Sequence, residues 1–95
     1  MSDKRLYIDK LKARLDQWDA ELDKLKAKAD EAEADSKIEY QNQLEQLRAK
    51  RDEARQRVRE LEQTSDEAWK DVKTGFEKAW DSIGRAFDSA RSRFK

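Results

Sequence analysis

Apolar residues recur through the first third of the chain at alternating steps of three and four: Ile8, Leu11, Leu15, Trp18, Leu22, Leu25, Ala29 and Ala32. That spacing is the a/d pattern of a coiled-coil seam, in which each apolar side chain enters a hole between residues of a facing helix. So narrow a stripe leaves a single helix unsatisfied in water, so the pattern predicts a partner helix. A second 3-4 repeat, Leu44, Leu47, Arg51, Ala54, Val58 and Leu61, runs one residue out of step with the first. Arg51 stands at a core position of this repeat, a polar break of the kind that fixes register at some cost in stability.

Two arrangements accommodate the slip. In one, Ala29, Ala32, Ser36 and Tyr40 form an 11-residue segment that relaxes the supercoil while a single helix runs through. In the other, the chain turns near residues 33 to 36 and folds into an antiparallel hairpin. Ser36-Lys37-Ile38-Glu39 fits a capping box for the second arm. The hairpin would layer Ile8 with Leu61, Leu11 with Val58, Leu15 with Ala54, Trp18 with Arg51, Leu22 with Leu47, Leu25 with Leu44 and Ala29 with Tyr40. The segment from Ala27 to Ser36 holds no Gly, Pro or Asn, so local turn chemistry is thin. From Asp3 to Gln63 the filling of Ala, Leu, Glu, Lys, Gln and Arg favours one continuous helix from about residue 3 to 62, about 90 Å long. Acid-first pairs four residues apart, Glu33 with Lys37 and Glu53 with Arg57, would support it. Residues 1–63 are thus expected as one coiled-coil unit, with a phase shift or turn near 33–40.

A second unit, residues 64–95, follows a clearer break. Thr64-Ser65-Asp66-Glu67 reads as a capping box, and a helix is expected from about 65 to 93. Asp66 with Lys70 and Asp81 with Arg85 would form i,i+4 pairs. At 100° per residue, Trp69, Val72, Phe76, Trp80, Ile83, Phe87 and Phe94 share an arc of roughly 80°. Ala68, Gly75, Ala79, Ala86 and Ala90 line one flank of this arc, while Lys73 and Arg91 line the other. Small residues on a flank allow a neighbouring helix to approach closely, which favours a bundle core. A lipid surface is the competing occupant of the same face, because such a face is also what an interfacial helix presents. Arg85, Arg91, Arg93 and Lys95 add some attraction to anionic surfaces.

Composition narrows the chemistry. Of 95 residues, 46% are charged and 36% hydrophobic, the balance of long exposed helices with thin apolar stripes. Twenty-two basic residues offset twenty-two acidic ones, which weighs against nucleic acid as a partner and against a polybasic membrane anchor. With neither Cys nor His, thiolate and imidazole nucleophile systems are excluded and zinc has no customary ligands. The acidic cluster Asp30, Glu31, Glu33 and Asp35 lacks the Gly and ligand spacing of a calcium loop and reads as a solvated face. Arg48, Lys50, Arg51, Arg55, Arg57 and Arg59 are interrupted by Asp52 and Glu53 and carry no aromatic residue for base stacking. They read as charges flanking the seam. No catalytic, cofactor-binding or metal-binding residues are expected, and no signal peptide or membrane span, so the expected location is the cytoplasm.

The chain resembles small bacterial coiled-coil domain proteins. The resemblance rests on Tyr7-Ile8-Asp9-Lys10, Lys37-Ile38-Glu39-Tyr40, Asp66-Glu67-Ala68-Trp69, Ala79-Trp80-Asp81-Ser82 and Ser92-Arg93-Phe94-Lys95. It implies a bacterial helical protein with no catalytic residues to transfer. The last helix is similar in a general way to apolipoprotein and phasin helices, from which its one-sided basic border departs.

The expectation is therefore an all-α protein: a long coiled-coil helix followed by a shorter amphipathic helix that packs back, in a homo-oligomer, most simply a dimer. A three-helix antiparallel hairpin or bundle is the alternative. Ile8, Leu11, Leu15, Trp18, Leu22, Leu25, Leu44, Leu47, Ala54, Val58 and Leu61 would form the oligomer seam. The expected function is a non-enzymatic, self-associating structural or scaffold protein, with a further helical protein as a candidate partner. The alternative is a peripheral membrane- or lipid-surface-binding protein working through the last helix.

Overall fold

Strong helix formers from residue 3 to 63 do not make one rod. In the computed structural model, which describes residues 3–93, the chain forms α1 (Asp3–Glu31), α2 (Ala34–Gln63) and α3 (Trp69–Arg93). The described residues contain no strand. Two residues, Ala32 and Glu33, link α1 to α2, and the arms run antiparallel. The continuous helix over 3–62 is therefore corrected to the hairpin. The molecule measures 52 × 20 × 19 Å, little longer than a 30-residue helix at about 45 Å.

The reversal buries both apolar stripes in one chain. Each repeat keeps its own stripe, and folding at the slip turns one stripe onto the other. Ile8, Leu11, Leu15, Trp18, Leu22, Leu25 and Ala29 of α1 are buried, as are Leu44, Leu47, Ala54, Val58 and Leu61 of α2. Covering a large aliphatic side chain contributes about 1.5–3 kcal/mol. A lone straight helix would leave all of them wet. Bridges between the arms agree with the layering expected from the seam: Lys12 pairs with Glu62 at 3.3 Å, and Asp19 meets Arg51 at 3.0 Å. The Lys4 ammonium donates to the Glu62 carbonyl at 3.1 Å and to the Thr64 carbonyl.

Both expected caps shift. Ser36 lies inside α2; Glu33 takes the N-cap position in extended backbone and supplies no side-chain hydrogen bond. Thr64 closes α2, its N–H bonding to the Leu61 carbonyl at 3.2 Å and its hydroxyl donating to the Glu60 carbonyl at 2.9 Å. Ser65 is the capping hydroxyl of the next helix, accepting from the Ala68 N–H at 3.2 Å. A turn over 66–68 then leads into α3, which begins at Trp69 rather than Ser65. The expected i,i+4 pairs Glu33–Lys37, Glu53–Arg57, Asp66–Lys70 and Asp81–Arg85 are not closed. Within α3, Lys73 and Glu77 form such a pair at 3.7 Å.

α3 returns along the hairpin, parallel to α1, and all three helices share one core. Its backbone approaches α2 closely, on the flank where the small residues Ala79, Ala86 and Ala90 lie.

Candidate functional site: the aromatic seam between α1 and α3

α1 and α3 meet through rings. Tyr7 lies 5.9 Å from Trp69 and 6.1 Å, edge-on, from Phe76. Phe76 stacks with Trp80 at 5.4 Å, and Trp80 lies 4.8 Å from Trp18. Trp18 in turn stacks flat on Phe87, with 4.9 Å between centroids and 6° between planes. The six rings form a continuous ladder between the two helices. Each such pair contributes about 0.5–1.5 kcal/mol beyond its burial.

Cations close the outer edge of the ladder. The Lys73 ammonium sits 4.7 Å from the Tyr7 ring centre and 5.3 Å from that of Trp69, and Arg14 lies 6.0 Å from the Trp18 ring. Further along, Arg91 pairs with Glu21 at 3.5 Å and Arg93 with Glu39 at 3.6 Å, holding the end of α3 to both arms. The Tyr7 hydroxyl is held in its neutral form: burial, the charges of Glu77 and Asp81 and a hydrogen bond with Glu77 push its pKa up to about 12.

Of the expected partner or lipid face, Trp69, Phe76, Ile83 and Phe87 are buried in the core. Trp80 is half-buried, and Val72 is 44% exposed, on the margin of the face rather than within it. Phe94 lies outside the described residues. Tyr7 was not among the residues expected to matter. Its place beside Ile8, on the flank of the first stripe, was the available signal, and only the arrival of α3 gives that flank a partner.

The seam residues expected to join chains all pack inside this one chain. Arg51 does not sit in the core as its heptad position suggests. Its guanidinium leaves the Trp18 layer to pair with Asp19, and hydrogen bonds to Asp19 and Asp52 raise its pKa further. Arg55 reaches the same carboxylate at 3.3 Å, so part of the basic cluster is consumed by the hairpin. A hollow of about 320 Å³ where α1, α2 and the end of α3 meet has Leu25, Leu47 and Phe87 in its lining, with Glu21, Lys24 and Arg91 also bordering it. The Glu21–Arg91 bridge joins two of those bordering residues. Among the described residues, no His, Cys, Asp and Glu gather as metal ligands, and no helix is long and apolar enough to cross a membrane.

No known protein family, characterised protein or solved structure matches the chain.

Proposed function

We propose that the chain is a non-enzymatic structural protein whose working parts are its helix-packing seams, and that it associates with further copies of itself. The observation that carries this reading is the makeup of the interior. Among the described residues every buried side chain is apolar, and all of them serve helix-to-helix packing. An active site ordinarily sets polar or titratable groups in a cleft and displaces their pKa values. Among the described residues the displaced groups are Tyr7, in the ladder, and Arg51, in an interhelical bridge. Both are explained by packing.

The exposed large apolar residues sharpen the reading. Among the described residues these are Leu6, Ile38 and Val72. Leu6 and Ile38 lie on the sides of α1 and α2 that face away from the seam, given 100° per residue. Among the described residues these two therefore offer no shared apolar patch for a second chain. The large apolar surface that the fold can present to another copy is the seam itself. Melting the protein over a hundredfold range of concentration tests the proposal, since association that stabilises folding makes the midpoint rise with concentration. A midpoint independent of concentration, with a monomer mass throughout, would overturn self-association.

The lipid-surface alternative uses the α3 face that the hairpin covers. It requires α3 to leave the hairpin, and the tight stacking of Phe87 on Trp18 weighs against that.

A further inference from the structure

The turn between α1 and α2 is the least encoded feature of the fold. Its two residues, Ala32 and Glu33, are strong helix formers. Helices that end before so short a link commonly close on a left-handed Gly or Asn. Among the described residues, no residue has positive φ. On the far side Glu33 gives α2 no side-chain cap. The start of α2 therefore lacks the N-cap side-chain bond that usually satisfies one of the first N–H groups of a helix. Straightening the link would bond the first N–H groups of α2 to the last carbonyls of α1 and would place Glu33 one turn before Lys37.

Straightening also preserves the apolar face. Ala29, Ala32, Ser36, Tyr40, Leu44 and Leu47 follow at steps of three and four, so both stripes become one surface along a helix of about 90 Å. That surface is self-complementary when a second copy lies antiparallel to it. The midpoint of every hairpin layer, from Ile8 with Leu61 to Leu25 with Leu44, falls between Ala34 and Asp35. A two-fold axis there regenerates each layer between chains. Lys12 would meet Glu62 of the second copy, and Asp19 its Arg51 and Arg55. α3, tied to its own α2, would build the aromatic ladder on the second copy's Tyr7 and Trp18.

We propose that two copies of this chain exchange their α1 arms by opening the Ala32–Glu33 turn into continuous helix, giving an antiparallel domain-swapped dimer. The proposal rests on the self-association reading and specifies its surface. Exchange of identical elements is a low-cost route to a dimer, because nearly every contact is kept. The monomer is favoured at low concentration by the proximity of its arms, and the dimer at high concentration by mass action.

Spin or fluorescent labels on cysteines at Asp9 and Glu60 of the full chain provide the test, since the protein has no cysteine of its own. Within one chain the hairpin holds these positions roughly one helix spacing apart, about 10 Å between axes plus the label arms. The swapped dimer separates them to about 75 Å, while chains carrying one label each come close across the pair. A dimer with the long intrachain distance is the expected result. A dimer that keeps the short intrachain distance overturns the swap and leaves self-association standing. A monomer at every concentration overturns both. As a second variant, Ala32→Asn with Glu33→Gly supplies turn residues and should weaken dimerisation at least about tenfold. Helix content read by circular dichroism should stay unchanged. Equal dimerisation by this variant and the native chain would count against the turn as the hinge.

Discussion

Tyr7 and Arg51 show how single side chains join this fold beyond their place in the repeat. Arg51 was legible as a polar interruption of an apolar stripe, but not its escape toward Asp19, which depends on the register of an arm thirty-two residues away. Bridges at this level of exposure contribute at most about 1 kcal/mol, so their main effect is on register. Tyr7 gives a pH test. Its folded pKa of about 12 exceeds the ordinary value of 10.0, so the neutral phenol is the form that the fold favours. The resulting stabilisation is fully present below about pH 10 and is lost as pH rises through about 12. Tyr7→Phe has no proton to lose. Thermal melts of both proteins should therefore differ by a constant offset up to about pH 10. Above that the native midpoint should fall faster than that of the variant. Parallel curves through pH 12 would show that Tyr7 does not have the environment described.

At the scale of elements, the helical stretches and their buried faces are legible in the sequence, but the residues at the first turn favour one helix where the fold has two. Periodicity marks a stripe whether or not the helix continues, and Ala and Glu at the link argue for continuation. The one-residue slip did not separate the two arrangements, since Ala29, Ala32, Ser36 and Tyr40 carry both stripes along one face of a straight helix. Reversal follows because in a monomer only a hairpin puts both stripes inside. The second turn was readable to within a few residues because Ser65 supplies real capping chemistry, its hydroxyl accepting the Ala68 N–H. The aromatic face of α3 was equally plain, but its partner was not, since that depended on where α1 lies. The glycines of α3 yield a prediction at this scale. A Cβ on Gly75 would meet nothing within 4 Å, and one on Gly84 would lie 3.9 Å from Trp18 Cζ2, an ordinary contact. Neither has the positive φ that would demand glycine. Gly75→Ala should stabilise the bundle by up to about 1 kcal/mol, raising the melting midpoint by about 4–8 °C for each kcal/mol gained. No rise would mean that α3 needs its glycine for a reason outside helix propensity.

For the whole molecule, the open question is whether the bundle stays closed, and the energetics favour closure. Freeing α3 exposes Trp69, Phe76, Ile83 and Phe87, each about 5% exposed or less in the bundle. At about 1.5–3 kcal/mol for each large side chain, the cost approaches the total stability of a chain this size, about 5–14 kcal/mol. A lipid surface would have to return all of it. It would also have to outcompete the Glu21–Arg91 and Glu39–Arg93 bridges, which hold the far end of α3. A variant with Trp18→Phe and Trp69→Phe keeps Trp80 as the sole indole, between an aromatic ring of α1 and Phe76. Its emission should be blue-shifted in buffer and unchanged when anionic vesicles are added, with helix content checked to show that the bundle persists. A water-exposed spectrum that shifts to the blue on vesicle addition would instead mean that α3 leaves the hairpin. In that case the aromatic face would be the functional element, and the closed bundle would be its resting form.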